Sequence, residues 1–222
     1  MTDLFPAPWS LRGQGHIFLF RFSQAFLQQE GLIPPSLRSS FVGGVGALML
    51  VDYAHSDCGP YRELLLIPGN FRIGDKVRPS ITRIWVSTQV SVVNGRKNWG
   101  IPKHQAQFDV AQRPDGTESW SVVDQTGAVF RGSVKVVGYT PPLPIHSALI
   151  PHTIAQSWQS QLFVTKVSAR GWGRPCKLSI DQGAAPRGLD FRTERPLLGL
   201  GMRVDPFSMT FHTPAVHSLE SA

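Results

Sequence analysis

The segment Asn94-Gly95-Arg96-Lys97-Asn98-Trp99-Gly100-Ile101-Pro102-Lys103-His104 sets one lysine directly after a proline, behind two glycines and a tryptophan. The tract before it, Ile84 to Val93, is uncharged and starts as a strand would. Two settings fit such a lysine. Either Lys103 is a surface charge that happens to follow a turn, or its amine is held in a dry pocket. In the second setting burial disfavours the ammonium form and leaves a nucleophile. A free amine attacks ketones and aldehydes to give a Schiff base.

Roughly forty positions upstream stands Tyr61-Arg62-Glu63, followed by the apolar run Leu64 to Ile67. The two signatures, in this order and at this separation, resemble the acetoacetate decarboxylase family. That family carries Gly-Arg, a short spacer and a Pro-Lys whose lysine forms the Schiff base, preceded by an acidic residue in a Tyr-x-Glu context. The match runs through Gly95, Arg96, Pro102 and Lys103, and through Tyr61 and Glu63. The resemblance spans Trp9 to Phe211 and is most specific between Cys58 and Phe108. It implies a mainly β fold, an antiparallel β-barrel or cone with a few short helices around the active site, in a homo-oligomer. It further implies a lyase of decarboxylase, aldolase or dehydratase type, with Lys103 and Glu63 catalytic. The ligand would be a small-molecule oxo-acid or ketone, contacted by His104, Tyr61 and Arg96, with no metal and no cofactor.

Two departures weigh against literal decarboxylation. The second acidic residue of the family, one strand before the Tyr-x-Glu, falls here in the apolar Ala47-Leu48-Met49-Leu50. The family's N-terminal arginine for the substrate carboxylate has no clear counterpart. The segment reads Gly13-Gln14-Gly15-His16, with Arg12 and Arg21 displaced to either side. Lysine and scaffold alone do not choose a reaction. A non-catalytic β-barrel that binds a small hydrophobic ligand is the alternative, favoured by the apolar Leu48 region.

The individual residues leave structural readings open. On a strand, Glu63 points opposite to Arg62 and Leu64, so it faces inward if Arg62 faces solvent. Otherwise it is a surface carboxylate balanced by a cross-strand cation. His104 stands where the decarboxylases carry a second lysine, and a mostly neutral imidazole pushes less on the amine. It is equally a strand residue facing away, because side chains alternate. Arg96 either holds a substrate carboxylate bidentately or locks the turn to backbone carbonyls. Trp85, Trp99 and Phe108 are most simply core residues. Trp172 is expected in a loop, Arg170 to Pro175, whose position relative to the pocket the sequence leaves open, and Cys58 either edges the pocket or is a small buried hydrophobe.

Composition bounds the rest. A chain of 222 residues holds a single domain, 1–222, and its 41% hydrophobic and 17% charged content suits a filled core. The net charge of +7 raises a nucleic-acid reading, but the charge is spread evenly. Residues 1–110 hold 11 Lys/Arg and 7 Asp/Glu, and the remainder 11 and 8, with no basic run or nucleic-acid motif. No apolar stretch is long enough for a membrane helix and no secretory pattern opens the chain, so neither nucleic acid nor membrane is expected as partner. Two isolated cysteines, Cys58 and Cys176, match no metal pattern and fit a cytoplasmic setting.

Along the chain, strands are expected at Ile17 to Phe22, Gly46 to Tyr53, Tyr61 to Ile67, Ile81 to Ser87, Gln105 to Ala111, Ser119 to Val123 and Val129 to Val137. The turn Pro114-Asp115-Gly116 makes a hairpin of two of these. Short helices are expected from a Ser23 cap to Glu30, ended by Gly31, and over Thr88 to Lys97. Tyr139 to Pro151 reads as a Pro-rich linker. Further strands are expected at Leu162 to Ala169, Lys177 to Ile180, Leu197 to Arg203 and Phe207 to Phe211. An antiparallel sheet of this many strands closes or nearly closes, leaving room inside for one small ligand.

Overall fold

Strand sequence with period-two burial dominates the chain, and the computed structural model describes residues 3–29, 32–149, 152–181, 189–191 and 193–218. The first strands are β1 (Trp9–Phe20), β2 (Phe41–Gly43), β3 (Gly46–His55), β4 (Tyr61–Ile67), β5 (Asn70–Ile73), β6 (Lys76–Pro79) and β7 (Arg83–Val86). Then follow β8 (Lys103–Gln105), β9 (Gln107–Gln112), β10 (Glu118–Asp124), β11 (Gly127–Val136) and β12 (Leu143–His146). The last are β13 (Thr153–Trp158), β14 (Gln161–Ile180), β15 (Gly201–Phe211) and β16 (Ala215–Ser218). The helices are α1 (Gln24–Leu27) and α2 (Gln89–Trp99), with short 3-10 turns at Pro35–Ser40, Ser147–Leu149 and Leu197–Gly199.

The main sheet runs β8-β7-β4-β3-β1-β15-β14-β11-β10-β9, and β12, β13 and β16 also pair with β14. Its neighbours are antiparallel except β7 and β8, which run parallel. A parallel neighbour needs a crossover connection, and α2 supplies it. The expectation of a closed barrel is corrected here: no ladder joins β8 to β9 among the described residues. The two edge strands are instead consecutive in the chain, separated only by Ala106, so the covalent backbone links the sheet's ends where hydrogen bonds do not. A separate small sheet, β2-β5-β6, lies in sequence where no strand is expected.

Alternation divides the hydrophobic side chains between two cores. On β3 and β4, Leu48, Leu50, Leu64 and Leu66 face one core together with Phe18, Phe20, Trp85, Trp120 and Phe130. Val51, Tyr53, Tyr61 and Leu65, at the intervening positions, face the other with Trp9, Leu11 and Ile84. The register between β1 and β15 shifts where Gly13 to Gly15 face Phe207 to Val204, so the extra residue is a bulge in β15, and Val204 and Phe207 both line the cavity. On β1 plain alternation sends Trp9 and Leu11 to one core and His16, Phe18 and Phe20 to the opposite one. Glycine is required opposite the bulge, because a Cβ on Gly13 would collide with the Asp52 carbonyl oxygen.

Three local expectations change. The segments Leu162 to Ala169 and Lys177 to Ile180 are one 20-residue strand, β14. Its Gly171/Gly173 register shift faces the same β15 bulge as Gly13 and Gly15 do from the other side, so glycines read as a loop are strand residues beside a bulge. Trp172 is thus a strand residue, half exposed, and not a loop residue. The Pro-rich linker contains β12, and β1 starts at Trp9, not at Ile17. In α1, the Ser23 hydroxyl accepts from the Phe26 N–H at 3.2 Å, as a cap should. The Glu30 and Gly31 end of that helix lies outside the described residues. None of the described helices is long and apolar enough to cross a membrane.

Candidate active site

The local sequence between β7 and β8 delivers Lys103 to the sheet edge. Thr88 caps α2 by accepting from the Ser91 N–H at 3.3 Å. Gly100 ends the helix with φ 63°, its N–H bonded to the Arg96 carbonyl, and the Ile101 N–H returns to the Gly95 carbonyl. This left-handed stop followed by Pro102 turns the chain sharply back along α2. Lys103 then opens β8 opposite Ile84. Arg96 holds the turn, donating from Nε at 2.9 Å and from Nη2 at 2.5 Å to the Lys103 carbonyl oxygen.

From that anchor the lysine side chain runs across the face of α2 into a cavity of about 220 Å³. Gly95 makes the passage: a Cβ there would lie 2.6 Å from Lys103 Cδ and 2.8 Å from Cε. One helical turn earlier, Ser91 meets the end of the chain, with its hydroxyl 3.1 Å from Nζ. Nζ also donates to Glu63 Oε2 at 2.9 Å and to the Tyr61 hydroxyl at 3.4 Å, and lies 4.9 Å from the Tyr61 ring centre. The other carboxylate oxygen of Glu63 accepts from the Tyr53 hydroxyl at 3.1 Å. Lys103 and Glu63 are each 4% exposed. Burial and the Glu63 charge raise both tyrosine pKa values well above the ordinary phenol value, so these hydroxyls stay protonated donors.

Because the Gly95 passage is filled by the lysine stem, Gly95→Ala is expected to displace Nζ while leaving the fold intact. A displacement on the order of 1 Å costs roughly a hundred-fold in a reaction that depends on alignment. Comparing adduct formation at Lys103 with the far-ultraviolet circular dichroism of the same variant checks this. An unchanged rate would mean that the stem accommodates the methyl group elsewhere.

The structure brings together Lys103, Glu63 and Tyr61 among the residues singled out from sequence. It places two others elsewhere. His104, the next residue on β8, points away from the cavity as alternation requires, and is not among the residues lining it. Burial and the Arg96 and Arg83 guanidinium groups lower its pKa. Arg96 is spent on the Lys103 carbonyl and lies 5.5 Å from the Trp158 ring centre, outside the cavity lining. Cys58 is half-buried beside Ser56 and does not line the cavity either. Tyr53 and Ser91 are the site residues that sequence reasoning missed. A signal existed for Ser91, which shares with Gly95 the i, i+4 face of a helix leading to the lysine. Tyr53 had only its place in the alternation of β3.

The two family departures have structural counterparts. On β3 the cavity-facing residues are Met49, Val51 and Tyr53, so no carboxylate enters from that strand. Arg12 and Arg21 are exposed and outside the cavity lining. Arg170 does reach the lining, but it is exposed, with Nε 3.4 Å from the Ser208 hydroxyl.

Comparison with known proteins supplies the family. The family model described as acetoacetate decarboxylase (ADC) matches residues 2–168. No curated protein is similar in sequence to this chain. Among solved structures, an acetoacetate decarboxylase-like enzyme from Sphingomonas wittichii RW1 superimposes with a TM-score of 0.66 at 17% identity, covering 96% of this chain and 94% of its own. Acetoacetate decarboxylase from Legionella pneumophila gives 0.63 at 15% identity, with 96% and 88% covered. The enduracididine biosynthesis enzyme MppR complexed with pyruvate gives 0.60 at 17% identity, with 98% and 93% covered. At such identities the likeness concerns the fold alone.

Proposed function

Because the chain belongs to the acetoacetate decarboxylase family, we propose that it is a lyase whose Lys103 amine forms a Schiff base with a small oxo-acid or ketone. One observation carries this reading: a lysine 4% exposed, whose Nζ is 2.9 Å from a buried carboxylate at the wall of an apolar cavity. That pair holds one proton to move. Passing it from the ammonium to Glu63 along the contact leaves a neutral amine, the nucleophile, beside a carboxylic acid, the proton donor. The amine attacks the carbonyl carbon, and Glu63 protonates the oxygen that departs as water. Tyr53 steadies the carboxyl group through its far oxygen, and Tyr61 and Ser91 orient the nitrogen. The pyruvate complex of MppR, a protein of the same fold, supports a small carbonyl ligand.

Decarboxylation additionally needs a place for the departing carboxylate. Since neither the second acidic residue nor a buried arginine is present among the described residues lining the cavity, the reaction assigned is of aldol or dehydration type, with weak or no release of carbon dioxide from acetoacetate. Borohydride reduction in the presence of acetoacetate or pyruvate, followed by peptide mass mapping, is expected to mark Lys103. Label on another residue, or none with any oxo-acid or ketone, refutes the Schiff base. Rapid carbon dioxide release from acetoacetate refutes the reaction type.

The apolar lining also favours a second reading, a carrier for a hydrophobic ligand. The two part at Lys103: a carrier forms no reducible adduct with any carbonyl compound.

A further inference from the structure

Beyond its reacting end the cavity is built from hydrocarbon. Trp9, Leu11, Leu65, Ile84, Ile154 and Met209, from five different strands, close around the space that Lys103 enters. An apolar cavity of about 150 Å³ stays dry and admits a benzene ring. This one measures about 220 Å³. A three-carbon oxo-acid bound at Lys103 would leave most of that volume empty, and lining atoms that face a void forfeit their dispersion contacts.

Charge points the same way. Among the described residues lining the cavity, Lys103 is the one buried cation, and Glu63 already matches it at 2.9 Å. Arg170 and His152 are exposed. The His16 imidazole turns to Trp120 in the opposite core, where burial and the Arg203 charge hold it neutral, its pKa lowered to about 3. A carboxylate attached next to the reacting carbonyl would enter a desolvated space beside Glu63 with no further buried cation to meet it.

We propose that the substrate of this site is an uncharged carbonyl compound with an extended apolar body, a medium-chain or aryl ketone or aldehyde, and not a short oxo-acid. The inference rests on the Schiff-base reading and narrows its substrate class. Imine formation with such a compound balances without any co-reactant. The lysine nitrogen bonds to the carbonyl carbon, and the carbon–oxygen bond breaks. The two amine hydrogens leave with the oxygen as one water, Glu63 relaying protons and being regenerated. The alkyl or aryl body then occupies the volume between Trp9, Ile84 and Met209.

The test uses the whole protein and a series of straight-chain 2-alkanones from acetone to 2-octanone, with 4-phenyl-2-butanone, pyruvate and acetoacetate beside them. Each is incubated over a range of concentrations, reduced with borohydride, and the adduct at Lys103 quantified by mass. Each methylene buried tightens binding about four-fold. The half-trapping concentration should therefore fall at least about a hundred-fold from acetone to 2-octanone, and pyruvate should require more than either long ketone. Trapping of pyruvate at lower concentration than 2-octanone, or indifference to chain length, overturns the inference while leaving the Schiff base standing. Absence of label with every compound overturns both.

Discussion

Lys103→Ala is expected to abolish reducible adduct formation and, in the same step, to weaken the fold. The chemical loss follows from removing the nucleophile and should reach roughly three orders of magnitude or more in turnover. The stability loss has a separate cause. Glu63 is 4% exposed, and in the variant it keeps only the Tyr53 hydroxyl at 3.1 Å as an observed partner. Breaking a buried ion pair by deleting one member costs about 3–5 kcal/mol, because the remaining charge stays desolvated and unpaired. The two effects are separable. Adding Glu63→Gln to Lys103→Ala removes the stranded charge, so the double variant should regain most of the stability and none of the chemistry. Urea-denaturation midpoints for the single and double variants, beside borohydride labelling, measure both. A single variant as stable as the parent would mean that Glu63 is not held as a charge against Lys103.

The second large effect lies across the sheet, at His16. Its imidazole is 1% exposed, and neither ring nitrogen has a hydrogen-bond partner. The Glu118 carboxylate, 3.7 Å from Nδ1, favours the imidazolium. That carboxylate is already engaged: Trp120 Nε1 donates to one oxygen at 2.5 Å, and Arg203 lies 3.9 Å from the other. Burial wins, aided by the Arg203 charge, and the pKa falls from 6.5 to about 3. Between these values the unfolded chain binds a proton that the native chain refuses, so stability rises with pH across the window. The contribution is complete above the unfolded value and declines as the pH falls. The loss is about 2 kcal/mol near pH 5 and about 3 kcal/mol near pH 4. His16→Leu removes the titrating group. Its side chain replaces polar atoms that bond to nothing, so the variant should match the parent at pH 7 and exceed it in acid. Denaturation midpoints at about pH 7 and pH 4.5 decide the matter, and an equal acid penalty in parent and variant would assign it to other groups.

How much of this was legible before folding depends on the range of the interactions involved. Thr88 and Gly100 bracket a helix through capping contacts of three or four residues, and Pro102 prevents its continuation, so the turn that presents Lys103 was readable within a dozen positions. Glu63 was placed opposite Arg62 and Leu64 by the pleat alone, and Leu64 lies in the far core as that placement demands. The site partners are another matter. Tyr53 reaches Glu63 because β3 and β4 pair with Val51 opposite Glu63, a register that neither strand encodes in isolation. Ser91 meets Lys103 only because a helix folds back over a parallel strand pair.

The same division holds for the fold. Composition, turn residues and alternation determine that the chain is mainly β and which face of each strand is apolar, because those signals are local. The glycines at 171 and 173 read locally as a loop, yet with Gly13 and Gly15 they flank a bulge in β15 across three paired strands. That bulge turns both Val204 and Phe207 of β15 to the cavity. Whether the sheet closes is also settled globally, by how strand twist and register accumulate over the ten strands of the main path. The sequence by itself therefore determined a lysine turn, a carboxylate on the strand face opposite Arg62 and Leu64, and a β-rich chain. The tertiary structure alone decided that the sheet stays open between β8 and β9, that His104 and Arg96 lie outside the cavity, and that the amine faces hydrocarbon. Those outcomes depend on contacts between residues tens to hundreds of positions apart, which local pattern does not record.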